Sequence, residues 1–554
     1  MDDYPYDLGR HGRRVSTASE AAQRWFDRGL AWTYGFNHEE AVACYERAAA
    51  ADPGCAMAHW GRAYALGPNY NMPWRVMDET GKARALAAAH DALQAARAAG
   101  DGAAPAEAAL IDALAARYPQ RDPLPDQSDW DRAYADAMRR VHAAFPDDLD
   151  IAALFAEALM DCTPWQMWDL ATGRPADGAA TEEAMAVLEQ ALSRPGGMTH
   201  PGLLHMWIHL MEMSPHPERA LREADALRGL VPDAGHLVHM PTHVDVLCGQ
   251  YHDAVHWNER AVAADLRYLA RAGAMNVYSG YRLHDYHFVI YGALFLGRIA
   301  PALEAVRGME ATVPEELLRL DSPPMADFFE SYLAMEPHVL IRFGRWEACL
   351  QLPAKDDTAL FCTHEATRLY ARGVALAALG RPEEAEAEEV RFLAALGRIP
   401  DTRLLHNNRV VDLMEIAKAM LRGEILYRQG AHDAAFGALR QAVAAEDALP
   451  YDEPWGWMQP SRHALGALLL EQGRHTEAEA VYRADLGLGG DLPRAQVHPG
   501  NVWSLRGLHD CLRARAAPGD EIAPIAQALA IAEARADRAV AASCFCARSA
   551  MRAA

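Results

Sequence analysis

Apolar residues recur along the chain at intervals of three and four, and no extended run alternates apolar with polar residues as a half-exposed strand does. The pattern predicts an almost entirely helical protein. Gly and Pro stand as isolated punctuation between the periodic stretches, marking many short helices joined by turns. A fixed period underlies them. Counted from Ala22, the residues Trp25, Gly29, Trp32, Ala41, Tyr45, Ala48 and Pro53 take positions 4, 8, 11, 20, 24, 27 and 32 of one unit. Gly373, Gly380 and Ala385 return to positions 8, 15 and 20, as do Gly423, Gly430 and Ala435, and Gly466, Gly473 and Ala478; Trp503 and Gly507 repeat positions 4 and 8. Central units open at Pro201, Gly235 and Leu283, with Ala220, Ala254 and Ala302 at position 20 and Gly249 and Gly297 at position 15.

That spacing resembles the tetratricopeptide repeat, a helix hairpin of roughly 34 residues in which small side chains let helices A and B approach while aromatic rings fill the space beside them. The fold class it implies is all-α: a tetratricopeptide-like α-solenoid, a right-handed superhelix of helix hairpins with long inserted loops. Residues 1–20 read as an N-terminal extension, 21–540 as one continuous superhelix with His-rich central repeats over 201–300, and 541–554 as a C-terminal tail. Four stretches, 67–79, 163–180, 266–282 and 447–460, read as lengthened loops folding over one face.

Histidine adds candidate chemistry to this scaffold. Of 24 His residues, 11 lie within 200–287, against roughly 4 for an even spread. Within their units, His205 and His209 take positions 5 and 9 with Glu212 at 12; His236, His239 and His243 take 2, 5 and 9; His284 and His287 take 2 and 5. Steps of three and four make these one stripe along helix A, the face that lines the concave groove in tetratricopeptide proteins. Helices packed about 8–10 Å apart bring such imidazoles within reach of a metal held at about 2.0–2.1 Å. His205, His209, His239 and His243 are the candidate metal ligands, with Glu212, His236, His284 and His287 as orienting or acid/base groups. The implied cofactor is a transition metal, since neutral imidazole suits Zn, Cu, Fe or Ni. The competing readings of the stripe are a polar peptide-binding groove and a patch that titrates near about 6.5. Pro241, at position 7, predicts either a kink in helix A or a helix that begins there. His216, His252 and His256 fall between helices or on helix B and read as surface residues.

Composition narrows the partners. With 53 Lys+Arg against 76 Asp+Glu, the 554 residues carry a formal charge of −23, which disfavours nucleic-acid phosphate as a partner. No run of about 18 uncharged apolar residues and no N-terminal apolar core of a signal peptide occurs, so no membrane partner is expected. Nine Cys are too dilute for a disulfide scaffold, and a reduced cytoplasm is the expected compartment. Tyr70, Trp74, Tyr451, Trp455 and Trp457 on the long loops read as packing against neighbouring repeats, with a lid over the groove as the alternative. Cys544 and Cys546 read as inert thiols on a free tail, with soft metal ligands or a redox pair on a folded-back tail as the alternative. His-Glu-x-x-His, Gly-rich phosphate loops, Cys-x-x-Cys and Gly-x-Ser-x-Gly are absent.

The segments Phe36-Asn37-His38-Glu39-Glu40-Ala41, Gly67-Pro68-Asn69, His205-Met206-Trp207-Ile208-His209, Gly235-His236-Leu237-Val238-His239-Met240-Pro241-Thr242-His243 and His284-Asp285-Tyr286-His287-Phe288 resemble a bacterial group of tetratricopeptide proteins. That group is distantly similar to the eukaryotic tetratricopeptide repeat protein 38 family. The resemblance spans nearly the whole chain, and its most specific part is the segment from Gly235 to His243. It implies the architecture and a His-rich core, and carries no settled reaction. The expected function is a metal-dependent enzyme, hydrolytic or oxidative, acting on a small molecule or short peptide in the concave groove. The alternative is a non-catalytic adaptor that holds a protein partner in that groove, and a homodimer is the other partner expected.

Overall fold

The computed structural model describes residues 4–490, 492–537 and 539–547. Helices dominate, and the strands among the described residues form two short hairpins, Trp168–Asp169 with Arg174–Pro175 and Leu404–Leu405 with Asn408–Arg409. The chain packs into two compact units. One comprises the residues up to Val244 together with Arg260–Arg282; the other comprises Asp245–Glu259 together with the residues from Leu283 onward.

The repeat pattern is a packing rule inside each unit. In the first, the Tyr45 ring is fully buried between two glycines, Gly29 at position 8 of its own hairpin and Gly61 on the following helix. A methyl group on either would lie 2.7 or 2.3 Å from that ring. In the second, Tyr482 at the same position is enclosed by Gly466 and Gly507, where a Cβ would stand 2.5 or 2.1 Å from the ring. Small residues are therefore required by an aromatic ring one helix away. Position 20 obeys the same constraint, since Ala41, Ala220, Ala254, Ala302, Ala385, Ala435 and Ala478 all have 0% exposure.

Position 15 has a different cause. Gly380, Gly430 and Gly473 close their helices at φ +77, +80 and +72, and a Cβ on any of them would meet nothing within 4 Å. Space is not the constraint there; the left-handed backbone is. The residue after each glycine completes the cap, as when Arg381 N–H donates to Leu376 C=O at 2.9 Å.

Two local expectations are corrected, and a third, left open between two readings, is resolved. The helix Tyr251–Ala272 runs through the first part of the stretch read as a 266–282 loop, because Ala254, Asn258, Ala261, Asp265 and Tyr268 continue one buried face. The tail is not free: Phe545, Cys546 and Ala547 are buried in the second unit, Ser543 Oγ donates to His463 C=O at 2.8 Å, and Cys544 and Cys546 are joined as a disulfide. Residues 548–554 of that tail lie outside the described residues. Position 7 resolves as two helices, Gly235–His239 and Pro241–Leu247, the second opening at the proline whose missing donor forbids continuation. His216, His252 and His256 are exposed, as expected.

The two classes of glycine separate in thermal melts. Gly507→Ala forces a methyl into Tyr482 and should destabilise by about 2–3 kcal/mol. Gly473→Ala meets open space and should lose only about 1 kcal/mol to backbone strain. Equal losses would contradict the assignment.

Candidate metal centre

The first unit concentrates imidazoles on the helices Pro201–Glu212 and Gly235–His239 and at the start of Pro241–Leu247. In the helix Pro201–Glu212 every residue is buried, so the polar side chains it carries must find partners inside the protein. His205 Nδ1 donates to the backbone carbonyl of Tyr34 at 2.7 Å. A carbonyl only accepts, so the proton sits on Nδ1 and the lone pair on Nε2. His209 Nδ1 faces Glu212 Oε1 at 2.9 Å, and His243 Nδ1 faces Glu212 Oε2. One carboxylate thereby fixes the same tautomer on two imidazoles.

His236 completes the group. Its Nδ1 and Nε2 are both buried without a hydrogen-bond partner among the described residues. Burial first, and the neighbouring His205, His239, His209 and His243 second, push its pKa well below 6.5 and keep the ring neutral. One ligand atom each from His205, His209 and His236 lies within 4.8 Å of the others, within side-chain adjustment of the separations that a shared ion at about 2.0–2.1 Å requires. A buried imidazole with two unsatisfied nitrogens beside two lone pairs is the donor set a transition metal fits.

The predicted residues thus sort differently from their expected parts. The structure brings His205 and His209 together with His236, one ligand atom of each within 4.8 Å of the others. His239 and His243 face each other, Nε2 to Nε2 at 2.6 Å, across the break at Pro241. With its own Nδ1 proton held by Glu212, His243 accepts and His239 donates. Glu212, His209 and His243 also bring one ligand atom each within 4.8 Å. His284 and His287 belong to the second unit. There His284 stacks on His406 with ring centroids 5.0 Å apart, and His406 Nδ1 faces Asp452 Oδ1 at 2.5 Å. His287 Nε2 lies 2.7 Å from Met458 Sδ, and burial, then the neighbouring His406 and His338, lower its pKa to about 3.

Aromatic rings enclose the first-unit centre. The Phe36 ring lies 4.5 Å from His205, 6.0 Å from His209 and 5.4 Å from His236. Tyr70, on the 67–79 loop, lies 4.7 Å from His209 and accepts the Trp165 N–H at 3.0 Å; Tyr281 lies 4.7 Å from His236. The Trp74 ring instead packs edge-on to Tyr118. In the second unit Tyr451, Trp455 and Trp457 are all buried, with Trp455 Nε1 donating to Ala495 C=O at 2.8 Å, which is packing.

A second histidine group in the first unit fails the same chemical test. His11 Nε2 and His200 Nε2 each lie 3.1 Å from Asp150 Oδ1, where Tyr34 hydroxyl also donates at 2.7 Å and Arg13 reaches Oδ2 at 3.2 Å. His200 Nδ1, however, accepts the Leu203 N–H at 3.2 Å to cap its helix. The ring proton is therefore on Nε2, where a metal would need the lone pair. The group is a hydrogen-bond hub that fastens the N-terminal extension. Burial alone would raise the Asp150 pKa, but the bonds from His11 and His200 outweigh it and hold the carboxyl well below its usual range.

No family model and no curated protein matches the chain. Among solved structures, Naa15/Naa10 bound to HypK-THB aligns at 11% identity over 97% of this chain and 74% of that chain, with a TM-score of 0.21. The APC/C hetero-tetramer Cut9–Hcn1 aligns at 11% identity over 93% of this chain and 97% of that chain, with a TM-score of 0.25.

Asp150→Ala strands four donors and should destabilise the first unit by about 3 kcal/mol at neutral pH, read by chemical denaturation. Because the folded pKa of Asp150 is depressed, the wild-type advantage is complete above the ordinary carboxylate range and fades as pH falls through the lowered value. An advantage that instead grows on acidification would contradict the hub.

Proposed function

We propose that the first unit holds a transition-metal ion on His205, His209 and His236, and that the protein is a metal-dependent enzyme acting on a small molecule or short peptide. The observation that carries this is tautomeric: Tyr34 C=O and Glu212 each take an Nδ1 proton, so that lone pairs on Nε2 of His205 and His209 adjoin the unsatisfied ring of His236. The resemblance to tetratricopeptide proteins similar to the tetratricopeptide repeat protein 38 family supports a His-rich core and is silent on chemistry. A zinc-type ion supplies Lewis acidity for hydrolysis, whereas copper or iron supplies oxidation by dioxygen.

The chain's own residues do the remaining work. Glu212 holds the protons of His209 and His243 in place, and the rings of Phe36, Tyr70 and Tyr281 keep water from the imidazoles. The His239–His243 pair offers a proton-transfer route one residue from the centre, since a single proton lies between two nitrogens 2.6 Å apart.

Protein purified without a His tag should carry at least about 0.5 ion per chain by elemental analysis, falling sharply in His209→Ala. A metal-free wild type that recovers one stoichiometric protein partner would make the chain an adaptor instead. Glu212→Gln presents an amide N–H to one of the two Nδ1 protons, so metal affinity should drop about 10–100-fold while the fold persists. Undiminished affinity would show that the carboxylate does not orient the ligands.

A further inference from the structure

Phe36 stands where five other repeats put glycine, and Ala516, at φ +54, is the other non-glycine residue that makes this cap among the described residues. Phe36 occupies position 15 of its repeat and closes the helix Glu20–Tyr34 at φ +54, whereas Gly249, Gly297, Gly380, Gly430 and Gly473 hold that position at φ +72 to +80. The cap it makes is the same one. Asn37 N–H donates to Trp32 C=O at 3.1 Å, as Arg381 does to Leu376 and Arg474 to Leu469, both at 2.9 Å. The backbone motif is thus common to the repeats, and only the side chain differs.

A residue with a Cβ disfavours this conformation, so the ring must be held by what surrounds it. Phe36 is 3% exposed. Its ring lies nearly parallel to His209 at 16° and to His236 at 23°, and tilts against His205 at 53°. The ring therefore adjoins all three imidazoles of the proposed centre and lies nearly parallel to two of them. Tyr70 bears on His209 as well, and it is braced by Trp165, another non-glycine residue in the left-handed region at φ +56. Among the described residues, two of the four non-glycine residues with positive φ thus serve rings that touch the same histidines.

Resting on the metal assignment above, we infer that Phe36 is a positioning residue of the His205–His209–His236 centre, kept in a strained cap because its flat face sets the three imidazoles against one another and shuts out water. Glycine there would satisfy the backbone and abandon the imidazoles. Stability and metal affinity consequently report on different parts of the residue.

The test titrates the metal-stripped full-length chain with Co2+, following its visible d–d bands, in the wild type, Phe36→Gly, Phe36→Ala and Phe36→Leu. Thermal melts are recorded without metal. Phe36→Gly should melt above Phe36→Ala because glycine relaxes the cap, yet both should lose Co2+ affinity equally, by about tenfold or more. If wild type binds Co2+ and Phe36→Gly binds as tightly, the positioning role is overturned while the metal centre stands. A wild type that takes up no Co2+ overturns both. Should the two truncations unfold, Phe36→Leu decides. It keeps apolar volume without a flat face and should weaken binding or alter the bands; no change in either overturns the role.

Discussion

Glu212 lies fully buried at the C-terminal end of its helix, where both desolvation and the negative pole of the helix disfavour a carboxylate. It is tolerated there because His209 and His243 each bring a donor to one of its two oxygens. The bargain is mutual. The carboxylate fixes where the protons of His209 and His243 sit, and the lone pair that His209 brings to the proposed ligand set and the proton shared by His239 and His243 follow from that choice of tautomer. Tyr34 does the same for His205 with a backbone carbonyl, a partner that substitution of its side chain cannot remove.

The repeat packing makes this arrangement affordable in geometry. Fully buried alanines at position 20 and glycines pressed against Tyr45 and Tyr482 bring hairpin helices close together, so that short helices deliver imidazoles from neighbouring repeats to one place. Two deviations from the regular repeat fall at the centre. Pro241 breaks a helix and turns His243 back toward Glu212, and Phe36 replaces a glycine cap. Regularity supplies the scaffold, and irregularity marks where the chemistry is proposed.

Much of this was legible in the residues. The position-8, position-15 and position-20 pattern was enough for the hairpins, because position 8 is dictated by a ring and position 20 by a close contact that small residues satisfy, and position 15 by a left-handed cap that favours glycine. His205, His209 and Glu212 were legible as one stripe since steps of four and three survive intact in an unbroken helix. The part of His236 was not, because the break at Pro241 rotates the residues before it relative to those after, and helix periodicity does not carry across. The carbonyl of Tyr34 has no sequence signature at all. His406 and His338 went unnoticed beside His284 and His287, lying far along the chain from them and joined only by folding. Phe36 left one trace, an aromatic residue at a glycine position.

The most direct test of the central claim is anomalous diffraction from crystals of untagged protein, collected on both sides of the zinc, copper and iron absorption edges. The account predicts a peak within about 2.0–2.1 Å of Nε2 of His205 and His209 and of a ring nitrogen of His236, with the Tyr34 carbonyl on the outer nitrogen of His205 and Glu212 on that of His209. A peak on other residues, or fully ordered imidazoles with no anomalous density between them, would contradict it.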